Sequence, residues 1–233
     1  MFTLNHELLA SLRREPTTFD NVYWVIGGAC SGKSTACRAI AAQHSLPIYD
    51  MDEHSFGDYM GRYSWERHPA SKSWFSAANP LEWVLSLAWP EFNSLYRAAN
   101  LECLDLFAED LRNDPPASPL IVDGGITHPT VLAQVLPAAR IFCIGIDSAY
   151  SADCWNHDPV RTPMKEMVLK LDNPNASWPK FLEFDRLISA TILDESEATG
   201  IKVQLRDGTL PVTELATIIL DYFQNDDCFG LNR

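Results

Sequence analysis

A chain of 233 residues, 46% hydrophobic and 21% charged, is long enough for one α/β domain with a generous core, and it lacks the composition of a disordered segment. Its net charge of −13 argues against a general nucleic-acid binder, which needs a basic face to displace counterions. No apolar run reaches the ~18 residues of a membrane span, and residues 1–15 lack a signal-peptide core, so neither nucleic acid nor membrane is expected as a partner and a cytoplasmic protein is.

In chain order, the pattern predicts a short helix from Leu4 to Arg14, halted by Pro16. Tyr23-Trp24-Val25-Ile26 then reads as a buried strand, and Gly27-x-x-x-x-Gly32-Lys33-Ser34 follows without a break. Glycines 27, 28 and 32 allow the backbone to curl round an anion and turn successive N–H groups inward. Residues Gly28, Ala29, Cys30, Ser31, Gly32, Lys33, Ser34 and Thr35 are thus expected to bind nucleotide phosphates. Lys33 supplies a mobile charge for the β- and γ-phosphates, Ser34 a hydroxyl for Mg²⁺, and the helix from Lys33 to His44 its positive end. The bland alternative is a glycine-rich strand-to-helix turn without a ligand. Six scattered cysteines (30, 37, 103, 143, 154 and 228) show no zinc or C-x-x-C spacing and read as free, mostly buried thiols in a reducing cytosol; Cys30 is the exception, inside the loop.

Ile48-Tyr49 is predicted as a short buried strand, with Asp50 and Asp52 on the turn that leaves it. One carboxylate could hold a Mg²⁺-bound water and the other the acceptor hydroxyl; equally, Asp52 could cap the helix that begins there. Residues 54–78 suggest short helices and loops, with basic and aromatic side chains that serve either an acceptor or ordinary packing. Leu81 to Ala88 is helical in spacing, and Phe92 to Leu111 forms a long apolar stripe with Glu102, Asp105, Glu109 and Asp110 off it. After a proline-rich connector, Leu120-Ile-Val-Asp123-Gly124-Gly125 reads as a buried strand ending at the second half of a Mg²⁺ site.

A helix is expected from Thr127 to Leu136, and a buried strand from Arg140 to Ile146. Residues 155–185 are polar and proline-broken, as a mobile cover over phosphates would be. Arg161 and Lys165 are its candidates for stabilising transferred charge, with Lys170 and Arg186 weaker ones. The remainder predicts a helix over 181–197, a strand over 201–205, a turn at Asp207-Gly208, a helix over 212–223 and a loose tail over 224–233.

With its glycine loop, its Asp50-Met-Asp52 pair and its Asp123-Gly124-Gly125 strand end, the chain resembles the P-loop small-molecule kinases, and within them the shikimate-kinase-like proteins. The resemblance covers 22–45 strongly and 46–55 and 119–147 more loosely. It implies a single three-layer P-loop NTPase domain over 1–233: a parallel five-stranded sheet of order 2-3-1-4-5, helices on both faces, a helical acceptor-binding insertion about 53–117 and a lid about 155–185. It further implies ATP and Mg²⁺ as cofactors. Asp52 would contact or deprotonate the acceptor, Asp50 and Asp123 would join Ser34 at the metal, and Lys33 and Arg161 would stabilise the transferring group. No position matches a shikimate-binding arginine.

The expected activity is transfer of the γ-phosphoryl group of ATP to a hydroxyl or phosphate of a small metabolite. The alternatives are a P-loop NTPase or a nucleotide-sensing module with no small-molecule acceptor. The missing Asn-Lys-x-Asp base-reading motif lowers a GTP switch, and the single acidic residue closing the third strand lowers a motor-type NTPase.

Overall fold

Val22–Gly27 forms strand β1, in which the five residues before Gly27 are all buried. A run with no polar position must be covered on both faces, and in the computed structural model, which describes residues 1–206, 209–226 and 229, β1 lies at the centre of a sheet. The other strands are β2 (Ile48–Asp50), β3 (Leu120–Asp123), β4 (Ile141–Ile146) and β5 (Lys202–Arg206). Their order is β2-β3-β1-β4-β5, and every neighbouring pair is parallel.

Helices provide the crossovers that parallel strands require. In chain order they are α1 (His6–Arg14), α2 (Lys33–His44), α3 (Met51–Ser55), α4 (Tyr59–Arg62), α5 (Pro69–Phe75), α6 (Pro80–Ser86) and α7 (Trp89–Asn113). Beyond β3 come α8 (Pro129–Leu132), α9 (Ser148–His157), α10 (Thr162–Leu169), α11 (Pro174–Ala198) and α12 (Val212–Phe223).

The period-two geometry of β1 sorts its side chains into two cores. Tyr23 and Val25 pack with Ala36, Cys37 and Ile40 of α2 and Leu215, Ile219 and Phe223 of α12. Val22, Trp24 and Ile26 pack with α1 and with Leu101, Leu104 and Phe107 of α7. Fully burying a ring such as Trp24 removes ~150–250 Å² from water, on the order of 4–6 kcal/mol before entropy is subtracted. Trp24 also donates its indole N–H to the Gly124 carbonyl at 2.8 Å, which ties the core to the end of β3. A third cluster, with Val84, Leu85, Phe92, Leu95, Val168 and Phe184, joins α6 and α7 to α10 and α11.

Several expectations need correction. Strand β2 is not buried: Ile48 is 39% exposed, because β2 is the edge of the sheet with a neighbour on one side only. The helix expected over 127–136 shrinks to one turn, Pro129–Leu132, since Pro137 and a second turn at Ala138–Arg140 redirect the chain. Residues 155–185 are helical rather than loop: they hold the end of α9, a 3₁₀ turn at Pro159–Arg161, α10 and the start of α11. Glu102 and Asp105 do not leave the apolar stripe for solvent; each is 2% exposed, because α7 is covered on nearly every side. Phe229, inside the expected tail, is buried and meets Tyr23 edge-on at 4.6 Å. Asp226, also in that tail, pairs with Arg140 at 2.6 Å, whereas the expected turn at Asp207-Gly208, Cys228 and residues 227 and 230–233 lie outside the described residues.

Candidate functional site

The carboxyl ends of β1, β2 and β3 lie side by side, and the register fixes what meets there. Asp123 is opposite Val25 on one side and Asp50 on the other. The chain leaves β1 through Gly27 to Gly32 and enters α2 at Lys33, with Gly32 at φ +86° as its N-cap. That left-handed turn suits glycine; Cys30 adopts the same region at φ +64°, which a side chain tolerates poorly. The loop is closely packed. A Cβ on Gly28 would sit 2.4 Å from Ser189 Oγ, and one on Gly32 would sit 2.2 Å from an Arg206 guanidinium nitrogen.

Gly124 is where the expected site residues converge. A Cβ built there would stand 2.9 Å from Lys33 Cε and 3.2 Å from Asp52 Oδ2. Lys33, from the loop, and Asp52, from α3, therefore flank a single point on the Asp-Gly-Gly strand end. Asp52 is exposed to solvent at its position in the first turn of α3. The surrounding protein nonetheless desolvates it and raises its carboxyl above the ordinary range. Lys33 opposes that, Asp50 adds repulsion, and the Gly125 amide and Arg161 offset it further. Asp50, and not Asp52, is the helix cap: its Oδ1 accepts the Glu53 N–H at 3.0 Å. Capping leaves Asp50 in the field of Asp123 and Asp52.

Asp123 is 2% exposed, and its Oδ1 has no hydrogen-bond partner. Burial raises its carboxyl, the neighbouring Ser34 hydroxyl and Lys33 pull it down, and Asp50 and Asp52 push it up. Among the described residues no three His, Cys, Asp or Glu side chains converge as a ready-made metal cage. Ser34 and the orphaned Asp123 oxygen nevertheless fit Mg²⁺, which keeps several waters and takes only one or two protein ligands beside phosphate oxygens.

Arg161, at the end of the Pro159–Arg161 turn, lies over the Trp155 ring at 5.0 Å and beside the Cys30 thiol. Burial pushes that thiol up to about 11, with Arg161 acting against it. Arg161 also acts on Asp52 and on Asp185, so the helical cover does bring its arginine to the loop. The other cations do not follow. Lys165 donates to the Asn156 carbonyl at 3.1 Å and stands over Trp178, Lys170 reaches toward Glu166, and Arg186 pairs with Glu183 and reaches only a cavity beside Arg206, not the loop.

Sequence reasoning missed two residues here. Arg206, last in β5, donates to the Ser31 carbonyl at 3.1 Å and covers the loop. Asp185 of α11 accepts from Ser151 Oγ at 2.7 Å, feels both Arg161 and Lys33, and is raised chiefly by burial. Only its position at the carboxyl end of the fifth strand, at the same sheet edge as the loop, could have drawn attention to Arg206. A cavity of about 670 Å³ opens beside it, lined by Ile146, Ser189, Leu193, Leu205 and Leu210 among others.

No protein-family model matches the chain, and no curated protein matches it at significance. Among the described residues no helix is long and apolar enough to cross a membrane.

Proposed function

We propose that the chain is a P-loop phosphotransferase that moves the γ-phosphoryl group of ATP to a hydroxyl of a small acceptor. The observation that carries this reading is the approach of Lys33 and Asp52 to one point above Gly124, next to Ser34 and the half-satisfied Asp123. A glycine loop and helix terminus for phosphates, a lysine for their charge and a carboxylate in front of them are the parts that in-line phosphoryl transfer needs.

In this reading the N–H groups of residues 28–35 hold the β- and γ-phosphates, and the cavity beside Arg206 receives the nucleoside. Ser34 and Asp123 hold Mg²⁺, which when bound neutralises the β- and γ-phosphate oxygens. The acceptor hydroxyl oxygen bonds to the γ-phosphorus and its proton passes to an Asp52 oxygen. The bond from the γ-phosphorus to the β–γ bridging oxygen breaks, and ADP leaves with that electron pair. A carboxyl raised toward neutrality by burial is a better base than a fully solvated one. Lys33 and Arg161 meet the charge that develops, in surroundings where water screens it poorly.

The test is ADP release from Mg²⁺-ATP against sugars, nucleosides, nucleotides and hydroxy acids, with Lys33→Ala as blank. One metabolite class should raise release well above the rate without acceptor, and Lys33→Ala should lose at least a hundredfold with an unchanged circular-dichroism spectrum. Release that no acceptor changes, or wild-type rates in Lys33→Ala, would overturn the proposal.

A further inference from the structure

The acceptor side of Asp52 has its own chemistry, set by rings and by the commitment of the arginines of residues 53–117 to carboxylates. Phe56, the C-cap of α3 and four residues beyond Asp52, is 55% exposed. Its ring meets Trp74 edge-on at 6.0 Å, and Trp74 lies 4.9 Å from Tyr96. Phe75 stacks on Trp74 at 5.0 Å and Phe92 on Tyr96 at 4.5 Å, yet Trp74 and Tyr96 stay half-buried, so with exposed Phe56 they form a wall with partial access. Tyr96 lies in the field of the Asp52 charge, and its hydroxyl has no hydrogen-bond partner among the described residues. A phenol in that position is a donor awaiting an acceptor atom.

The arginines of this region are already committed. Arg62 pairs with Asp110 at 2.7 Å, Arg67 grips Asp105 through two nitrogens, and Arg97 is held by Glu195 and Thr130. Arg112 pairs with Glu15. Among the described residues, Lys72 alone of these Lys and Arg side chains has no ion pair, and residues 53–117 carry ten Asp and Glu against five Lys and Arg. Recognition of a phosphate or carboxylate calls for guanidinium forks free to bond it, and these forks are occupied: Arg62 and Arg67 by α7 carboxylates, Arg97 by Glu195 of α11 and Arg112 by Glu15. Releasing Arg67 or Arg97 would strand the carboxylate of Asp105 or Glu195 in a largely buried place.

Resting on the phosphotransferase reading above, we infer that the acceptor is an uncharged compound with a flat ring and a free hydroxyl. Its ring lies against Phe56, Trp74 and Tyr96, and the hydroxyl is delivered to Asp52. Stacking supplies affinity without charge, since every aromatic or heteroaromatic ring presents a π-face. The Tyr96 hydroxyl adds one directional bond.

The experiment has two arms. In the first, uridine, adenosine and pyridoxine are compared as acceptors with glucose, shikimate and uridine monophosphate, under Mg²⁺-ATP. At least one of the neutral ring compounds should exceed each of the other three at least tenfold in kcat/KM, and Trp74→Ala should raise its KM at least tenfold. A sugar, hydroxy acid or nucleotide as best acceptor would overturn the inference while leaving the phosphotransferase reading intact. The second arm needs no turnover: tryptophan fluorescence is titrated with the same six compounds in the presence of a non-hydrolysable ATP analogue. The neutral ring compounds should quench it saturably, and Trp74→Phe should remove most of that quench. No saturable quench from any ring compound, or an undiminished quench in Trp74→Phe, would overturn the inference whatever the first arm gives.

Discussion

Gly124 shows how little room the site leaves. Its φ of +73° is a region where a side chain costs roughly 1–2 kcal/mol, and the missing Cβ is what lets Lys33 and Asp52 close on the strand end. Gly124→Ala should therefore lose about 1–2 kcal/mol of stability, and at least tenfold in the proposed turnover because Lys33 and Asp52 must retreat. Gly61→Ala is the control. It adds a Cβ that meets nothing within 4 Å and has no positive φ, so it should be neutral or gain up to about 1 kcal/mol as an alanine in a helix. Urea melts and acceptor-dependent ADP release on the two variants decide the matter; equal turnover would mean that the approach at Gly124 is ordinary packing. Asp52 was legible in the sequence as one of an acidic pair, but its division of labour with Asp50 was not. Which carboxylate caps α3 depends on whether the strand ends at 49 or 50, a shift of one residue that periodicity cannot resolve.

Helices α7 and α8 meet through a polar seam that no pattern in the chain announced. Asn100 of α7 accepts the N–H groups of Thr127 and His128 at 2.8 and 2.9 Å, and the His128 ring bonds Asn93 across the same seam at 2.9 Å. Burial, and then the Arg97 charge, lower the His128 pKa to about 3. Between that value and the ~6.5 of an unfolded histidine, the unfolded chain binds a proton that the folded chain refuses. His128 thus favours the fold fully above about pH 6.5 and withdraws about 1.4 kcal/mol for each unit of pH below it. His128→Gln should flatten the stability profile from pH 6.5 to 5 by about 2 kcal/mol relative to wild type. Urea unfolding at several pH values reads this directly, and parallel profiles would count against it. Strands β1, β3 and β4 and helices α2 and α12 were readable because each is an uninterrupted apolar run or a clean stripe. The burial of Glu102 was not. It depends on α5 arriving from thirty residues upstream to donate the Ala70 and Ser71 N–H groups at 2.9 and 2.7 Å, a partnership with no local trace.

Across the whole molecule the sheet edge acts as a reservoir of unfavourable charge. Asp52, Asp123 and Asp185 all have carboxyls raised first by burial, and Asp123 leaves a buried oxygen unpartnered. A raised carboxyl means that the folded chain holds its proton more tightly than the unfolded one. Its charged form therefore weakens the fold at neutral pH, and stability returns as pH falls below the raised value. Such a cost makes sense if a cation and phosphates offset it on binding. Asp123→Asn separates the two halves of this argument, because it keeps the shape and removes the charge. Without ligand the variant should be more stable by about 1 kcal/mol, some 2–4 °C in a domain of this size. Wild type at a hundredfold excess of Mg²⁺-ATP over its Kd should gain about 2.7 kcal/mol, and the variant should gain little. Thermal melts with and without Mg²⁺-ATP give both readings in one series. A variant that is less stable alone would show that Asp123 is a structural carboxylate whose Ser34 neighbour outweighs its burial. One that keeps the full ligand shift would remove Asp123 from the cation site and leave Ser34 to hold it alone.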